Sequence, residues 1–358
     1  MSQDIRDFVP SSCDLLALGE PTHWEPAFGS VRNTLFGQLV ERGFRSIALE
    51  TDRVAALEVD DYVRDGVGSL YAVMRDGFSH DFGDFAANRA LVEWMREYNQ
   101  NRSPADRLAF HGFDTQTEIP CAPSPRRYLE YSRDYLGLDV DLASIAGDDE
   151  RWSRAEAVLN PAESLGATPE AQRLRLLAHD MFAELHERAP ELIAKTSRNE
   201  WTRATTHLTA GIGLLRYHNQ AAQDIEQSKR YGVLGAVRDA IMAQNLRDIR
   251  SIEDRRGATF VFAHNFHLNR GSIVGSLLDY TFVAGSLGRS DALELGAPAA
   301  DTYEGTLDPV LTTWGITEPP TTGRTRTDTD PRKGYFPLDQ AVLDGADAIL
   351  YIAGRHTR

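Results

Sequence analysis

Two short stretches decide how this chain is read: residues 16–23, LALGEPTH, and residues 262–267, FAHNFH. Each is an apolar run of strand length that ends in polar, titratable side chains, and the ends of strands are where α/β sheets carry their chemistry. Working outward from the first, residues 29–42 place Val31, Leu35, Leu39 and Val40 at roughly helical spacing before Gly43 stops the helix. Residues 45–50, RSIALE, are a second apolar run that ends in an acid. The opening therefore reads as a β-α-β unit with a right-handed crossover, with Glu20 and Glu50 at the same sheet edge.

Residues 51–70 read as helical, and 88–99 as an amphipathic helix that leads through a Ser-Pro turn into 107–114, RLAFHGFD, a third strand ending in Asp114. From 125 to 256 strand signals are scarce, and 168–188, 200–227 and 231–253 carry helical periods, as a helical insertion would. The sheet resumes with 257–264 and continues with 280–285, YTFVAG, and 347–353, DAILYIA. The expected organisation is a first part of an α/β core at 1–124, a helical insertion at 125–256 and the rest of the core at 257–358. Residues 317–334 are polar and rich in Pro, Gly and Thr, so they are expected as a surface loop, either a lid over a pocket or a disordered connector.

At 358 residues the chain is long enough for a large core, and its 42% hydrophobic and 25% charged residues are ordinary for a globular protein. A formal charge of -15 disfavours adhesion to phosphate backbones or anionic lipid, so neither nucleic acid nor membrane is an expected partner. The two cysteines, Cys13 and Cys121, have no metal-binding spacing and are too few for a disulfide framework. With no apolar leader and no run of 18 apolar residues, a cytoplasmic location is expected.

Glu20 precedes His23 by three residues just beyond a strand, and a carboxylate beside an imidazole can orient the ring and stabilise its cation, the arrangement of a general base. E-x-x-H alone is also a common structural pair or helix cap. His264 and His267 flank Asn265 at a second strand end and strengthen the catalytic reading, because two such ends can converge. A metal shell of His23, His264 and His267 with Glu20 or Glu50 ranks second, since no H-E-x-x-H or Cys cluster accompanies it. Serine chemistry lacks G-x-S-x-G: the nearest approach, AGSLG at 284–288, reads Gly285 and Ser286 as a turn. Phosphate-binding glycine motifs are absent as well. Arg238, Met242 and Asn245 share one helical face by spacings of four and three, and that polar stripe either faces a cleft or holds a structural ion pair.

Taken together, LALGEPTH, Arg32 nine residues after His23, GFRSIALE, LVEWMREYN, LAFHGFD, RYHN at 216–219, RDAIMAQN at 238–245 and FAHNFH resemble the erythromycin esterase family, which includes proteins labelled as succinoglycan biosynthesis homologues. The resemblance implies a mixed central sheet flanked by helices and a metal-independent ester or lactone hydrolase without a cofactor. In it His23 is the general base for water, supported by Glu20, with Glu50, Arg32 and His264 in the same cleft and Arg32 or His264 stabilising the oxyanion. Trp24, His267, Asp114 and Arg238 are expected to contact substrate, and Trp24 stands where the family usually has a small residue. The expected partner is a small-molecule ester or lactone, a macrolide or another natural product. The alternative is non-hydrolytic tailoring, acyl transfer or cyclisation, with the same histidine as base.

Overall fold

Strands that are buried on both faces read as unbroken apolar runs, and the centre of this protein is built from such runs. A computed structural model describes residues 2–118, 120–308 and 313–354. Seven strands form one sheet: β1 (Leu15–Glu20), β2 (Phe44–Asp52), β3 (Ala109–Asp114), β4 (Ala258–His264), β5 (Thr281–Leu287), β6 (Trp314–Thr317) and β7 (Ala348–Ile352), in the spatial order β3-β2-β4-β1-β5-β7-β6. β4 pairs in parallel with β1 and β2, β5 with β1 and β7, and only β6 runs antiparallel, against β7. The fold is α/β, with a mixed central sheet and a large helical insertion.

Helix α1 (Pro26–Glu41) starts with Pro26 at a position where a missing N–H costs nothing, after Glu25 as its N-cap. It buries Phe28, Leu35, Phe36 and Leu39 completely, each worth roughly 1.5–3 kcal/mol before chain entropy is set against it. Helices α2 (Ala56–Asp65), α3 (Leu70–Asp76) and α4 (Ala86–Asn99) follow. The helical run expected over 51–70 is thus shorter, because β2 continues to Asp52 and Gly66 and Gly68 interrupt the chain after Asp65.

The chain divides into two compact units. The first comprises Met1–Glu50, Glu58–Phe113 and Ala243–Arg358, and the second Thr51–Leu57 with Asp114–Met242. In the second, the helices Arg126–Leu136, Pro169–Glu187 and Arg198–Ala221 enclose their own core of Leu129, Trp152, Leu174, Met181, Leu208 and Leu215. Among the described residues no helix is long and apolar enough to cross a membrane.

One sequence expectation needs correction. Gly285 and Ser286 are not a turn but lie inside β5, opposite Leu350 and Tyr351. Gly285 belongs there because both its N–H and its carbonyl are taken by the side-chain amide of Asn265, at 3.0 and 2.8 Å. The opening β-α-β unit spans β4, which lies between β1 and β2. Strand β6 was not anticipated: four residues beside a Pro-rich segment carry too little alternation to register.

Candidate active site

The insertion of β4 between β1 and β2 creates the site. In the parallel register Glu20 lies opposite His264, and Leu49 lies opposite Phe262, so Glu20, Glu50 and His264 come to the carboxyl ends of three adjacent strands. Gly19 keeps these ends close: a Cβ there would meet Asn265 Oδ1 at 2.0 Å, and that oxygen is the one bonded to the Gly285 N–H. Glycine at 19 and asparagine at 265 are therefore one requirement written in two distant motifs.

Beyond Glu20 the chain turns at once, with the buried Thr22 hydroxyl accepting the Trp24 N–H at 3.2 Å. The turn returns His23 over its own strand, where Nδ1 lies 2.7 Å from Glu20 Oε1. Nδ1–H donates to that carboxylate, which leaves the Nε2 lone pair free of it. Nε2 is 3.9 Å from Glu50 Oε1, beyond direct hydrogen bonding and suited to a bridging water. Burial pushes the His23 imidazole toward its neutral form, but the Glu20 hydrogen bond and the charges of Glu50 and Glu20 outweigh it, so its pKa stands above the ordinary value. Burial likewise raises the Glu20 carboxyl, against the pull of His23. The ring of His23 remains a quarter exposed.

Glu50 is fixed at both oxygens. Its Oε2 accepts the backbone N–H of His264 at 2.8 Å, and Oε1 lies 3.2 Å from His267 Nε2. His264 caps the short helix Asn265–Leu268, with Nδ1 accepting the Phe266 N–H at 3.1 Å, so the ring proton belongs on Nε2. Burial, assisted by the positive charge of His23, drives the His264 pKa down to about 4, against the charge of Glu50 and, more weakly, the Pro21 carbonyl. His264 is thus a neutral imidazole, its ring centre 5.3 Å from that of His23. Its Nε2 makes no hydrogen bond of normal geometry, a cost of about 1–3 kcal/mol for a buried donor unless something else takes it up.

The remaining expected residues divide. Arg32 is buried, and Nε, Nη1 and Nη2 all have acceptors: Asn33 Oδ1 at 3.0 and 2.8 Å, Asn88 Oδ1 at 2.8 Å and the Ala87 carbonyl at 3.3 Å. Burial lowers its pKa to about 10, and it stays a cation whose charge Glu20 feels. Its structural reach into the site runs through Asn88, whose Nδ2 holds the Phe82 carbonyl at 2.8 Å, and the Phe82 ring lies 5.0 Å from that of His23. Trp24 is half exposed, 6.2 Å from Phe85. Asp114 and Arg238 both belong to the second unit and form a two-pronged ion pair, with Nε donating to Oδ1 at 2.9 Å and Nη2 facing Oδ2. In the first unit, Asn245 Nδ2 donates to the Phe113 carbonyl at 3.0 Å. Among the described residues no group of three or more His, Cys, Asp or Glu side chains is arranged to hold a metal ion.

Phe82, Asn88, Asn265 and Phe336 were not singled out from sequence as site residues. Only Asn265 had a visible signal, its place between the two histidines. The others reach the site through folding contacts that no local pattern encodes.

Comparison with known proteins bears on this geometry. Three solved structures share the fold. A succinoglycan biosynthesis protein matches with TM-score 0.69 at 16% identity, covering 97% of this chain and 89% of its own. A protein from Bacillus cereus gives 0.65 at 17%, covering 97% and 90%. A histidine-to-asparagine variant of the erythromycin esterase EreC, in its open conformation, gives 0.65 at 17%, covering 95% and 90%. No curated protein sequence matches. The sequence model described as erythromycin esterase matches residues 39–310, which takes in Glu50 and the FAHNFH segment and begins after His23 and Arg32. Since that match runs over well more than half of the 358 residues, the chain belongs to the erythromycin esterase family.

Proposed function

We propose that the protein hydrolyses a carboxylic ester or lactone, with His23 as general base. His23 Nε2 removes a proton from a water held between it and Glu50 Oε1, and the resulting hydroxide attacks the ester carbonyl. The electron pair of the C=O bond moves to oxygen, where the neutral His264 Nε2–H receives it as a hydrogen-bond donor. Collapse of the tetrahedral intermediate breaks the bond to the alkoxide, which takes the proton back from the His23 imidazolium. Glu20 holds the ring and stabilises its cation throughout, and Arg32 acts at a distance by fixing Asn88 and Phe82. No covalent enzyme intermediate is needed.

The observation that carries this reading is the Glu20–His23 pair, bonded at 2.7 Å through Nδ1 and presenting Nε2 toward Glu50 at 3.9 Å. Family membership supports ester chemistry, and a macrolide lactone is the first substrate to try. The test is to incubate wild type and His23→Ala with a panel of macrolides and simple esters in water enriched in oxygen-18. Hydrolysis gives one water added per bond cleaved, with the heavy oxygen in the acid product, and no turnover in the variant. A mass-neutral product, or transfer of the acyl group to an added alcohol, would replace hydrolysis with the tailoring reaction.

A further inference from the structure

Two aromatic side chains stand against the two imidazoles. Phe82 lies 5.0 Å from the His23 ring at 56°, and Phe336 lies 5.0 Å from the His264 ring at 81°. Trp24 stands beside them: a Cβ built on Gly334, which has φ +66°, would come within 3.4 Å of its indole nitrogen. Phe336 and Trp24 are both about half exposed, at 51% and 55%. Half-exposed rings beside titratable groups offer apolar faces on which a ligand can pack.

Both walls are fixed in place. Phe82 follows two successive non-glycine residues in the left-handed region, His80 and Asp81, each with φ 58°, a conformation that persists only where the surroundings enforce it. Its carbonyl is held by Asn88, itself held by Arg32. Phe336 donates its N–H to the Pro21 carbonyl at 2.9 Å, next to the turn that carries His23. On one side of it Tyr335 is buried with its hydroxyl 3.3 Å from Glu304 Oε1, and on the other the Leu338 N–H donates to the same oxygen at 2.8 Å. Upstream, the buried Arg326 donates to the Gly288 and Gly296 carbonyls at 2.9 and 3.1 Å and pairs with Asp328. The polar segment 317–334 is therefore anchored along its later half, and it delivers Phe336 to the site.

With His23 neutral, as a general base must be, the charges at the same strand ends are Glu20 and Glu50, while the guanidinium of Arg32 is turned to Asn33, Asn88 and Ala87. In that form two carboxylates face the reacting atoms and oppose an anionic substrate. With Phe336 and Trp24 about half exposed, faces of both rings are left open beside the imidazoles, and such faces favour a flat ring partner over a flexible chain, since ring pairs interact best with centroids ~4.5–7 Å apart and a rigid partner loses less entropy.

Resting on the hydrolase reading, we infer that Phe82 and Phe336 are specificity-determining residues and that the substrate is an uncharged ester carrying a flat apolar ring beside the scissile carbonyl. Phe336 lies beyond residues 39–310, the stretch matched by the family model.

The test pairs kinetics with binding. Wild type, Phe336→Ala and Phe336→Tyr are compared on the methyl esters of naphthalene-2-acetic acid, hexanoic acid and the naphthalene acid bearing a second, free carboxylate. Binding of naphthalene-2-acetamide and hexanamide, which resist hydrolysis, is measured by calorimetry. Wild type should prefer the neutral naphthyl ester and amide. Phe336→Ala should lose about 10- to 100-fold in kcat/KM and affinity for the naphthyl compounds and far less for the hexanoyl ones, with Phe336→Tyr retaining the preference. Phe336-dependent binding of the naphthyl amide without hydrolysis of any ester would sustain Phe336 as the residue that selects a flat neutral ring and refute the hydrolase reading. Ester hydrolysis with no ring preference, a preference for the carboxylated ester, or an equal loss on all substrates in Phe336→Ala would overturn the inference alone.

Discussion

Replacing Glu20 by Gln tests the site at its most specific point, because the change removes one negative charge and keeps the side chain's size. In the native site the Nδ1–H of His23 donates to a buried carboxylate at 2.7 Å, and this contact, with the charges of Glu50 and Glu20, raises the pKa of His23 above its ordinary 6.5 despite burial. A hydrogen bond to a charged group is worth about 1.5–3 kcal/mol, and losing it together with the Glu20 charge should lower the His23 pKa. The sign follows from which form works. The base must be neutral, so kcat/KM of wild type climbs with pH through an apparent value above 6.5 that belongs to the Glu20–His23 pair. In Glu20→Gln the rising limb shifts to lower pH. Its plateau drops by about 10- to 150-fold, because the imidazolium formed during attack has lost its counter-charge. The assay is a pH series from 5 to 9 on one ester, with circular dichroism to show that the variant is folded. A limb that stays in place or moves to higher pH would refute the assigned roles of this pair.

Two further predictions follow from neighbouring contacts. His264→Gln removes the neutral Nε2–H from its place beside His23, and steady-state kinetics should show kcat reduced by about 100- to 1,000-fold with KM little changed; a loss confined to KM would make His264 a binding residue. Gly19→Ala puts a methyl group 2.0 Å from Asn265 Oδ1 and should destabilise the protein by about 1–3 kcal/mol in urea unfolding, with activity lost as the strand ends part. An unchanged unfolding midpoint would mean that the Asn265 bridge does not hold these strands.

The four residues at the strand ends, Glu20, His23, Glu50 and His264, were legible because a buried parallel strand is a continuous apolar run and its polar end stands out. Which strands are neighbours was not legible. β4 separates β1 from β2, and that long-range pairing, with Glu50 and His264 214 positions apart, leaves no trace in local periodicity. The same limit explains Arg32. Position 32 on α1 identifies a helix residue, but whether its guanidinium turns toward substrate or toward Asn88 depends on the first turn of α4, 56 positions away. Residues 317–334 look like a free polar loop because a buried arginine such as Arg326, satisfied by the carbonyls of Gly288 and Gly296, is indistinguishable in sequence from an exposed one. Asp114 and Arg238 were readable as chemically capable groups, yet each is the other's partner within the second unit.

The most direct measurement of the central claim is chemical rescue of His23→Ala. The cavity left by a missing, partly exposed imidazole should accept imidazole from solution, so added imidazole should restore ester hydrolysis in proportion to its concentration and in its neutral form, while wild type is unaffected. The variant itself should be slower by about two to four decades and remain folded. Near-wild-type turnover by the folded His23→Ala protein without imidazole would contradict the account.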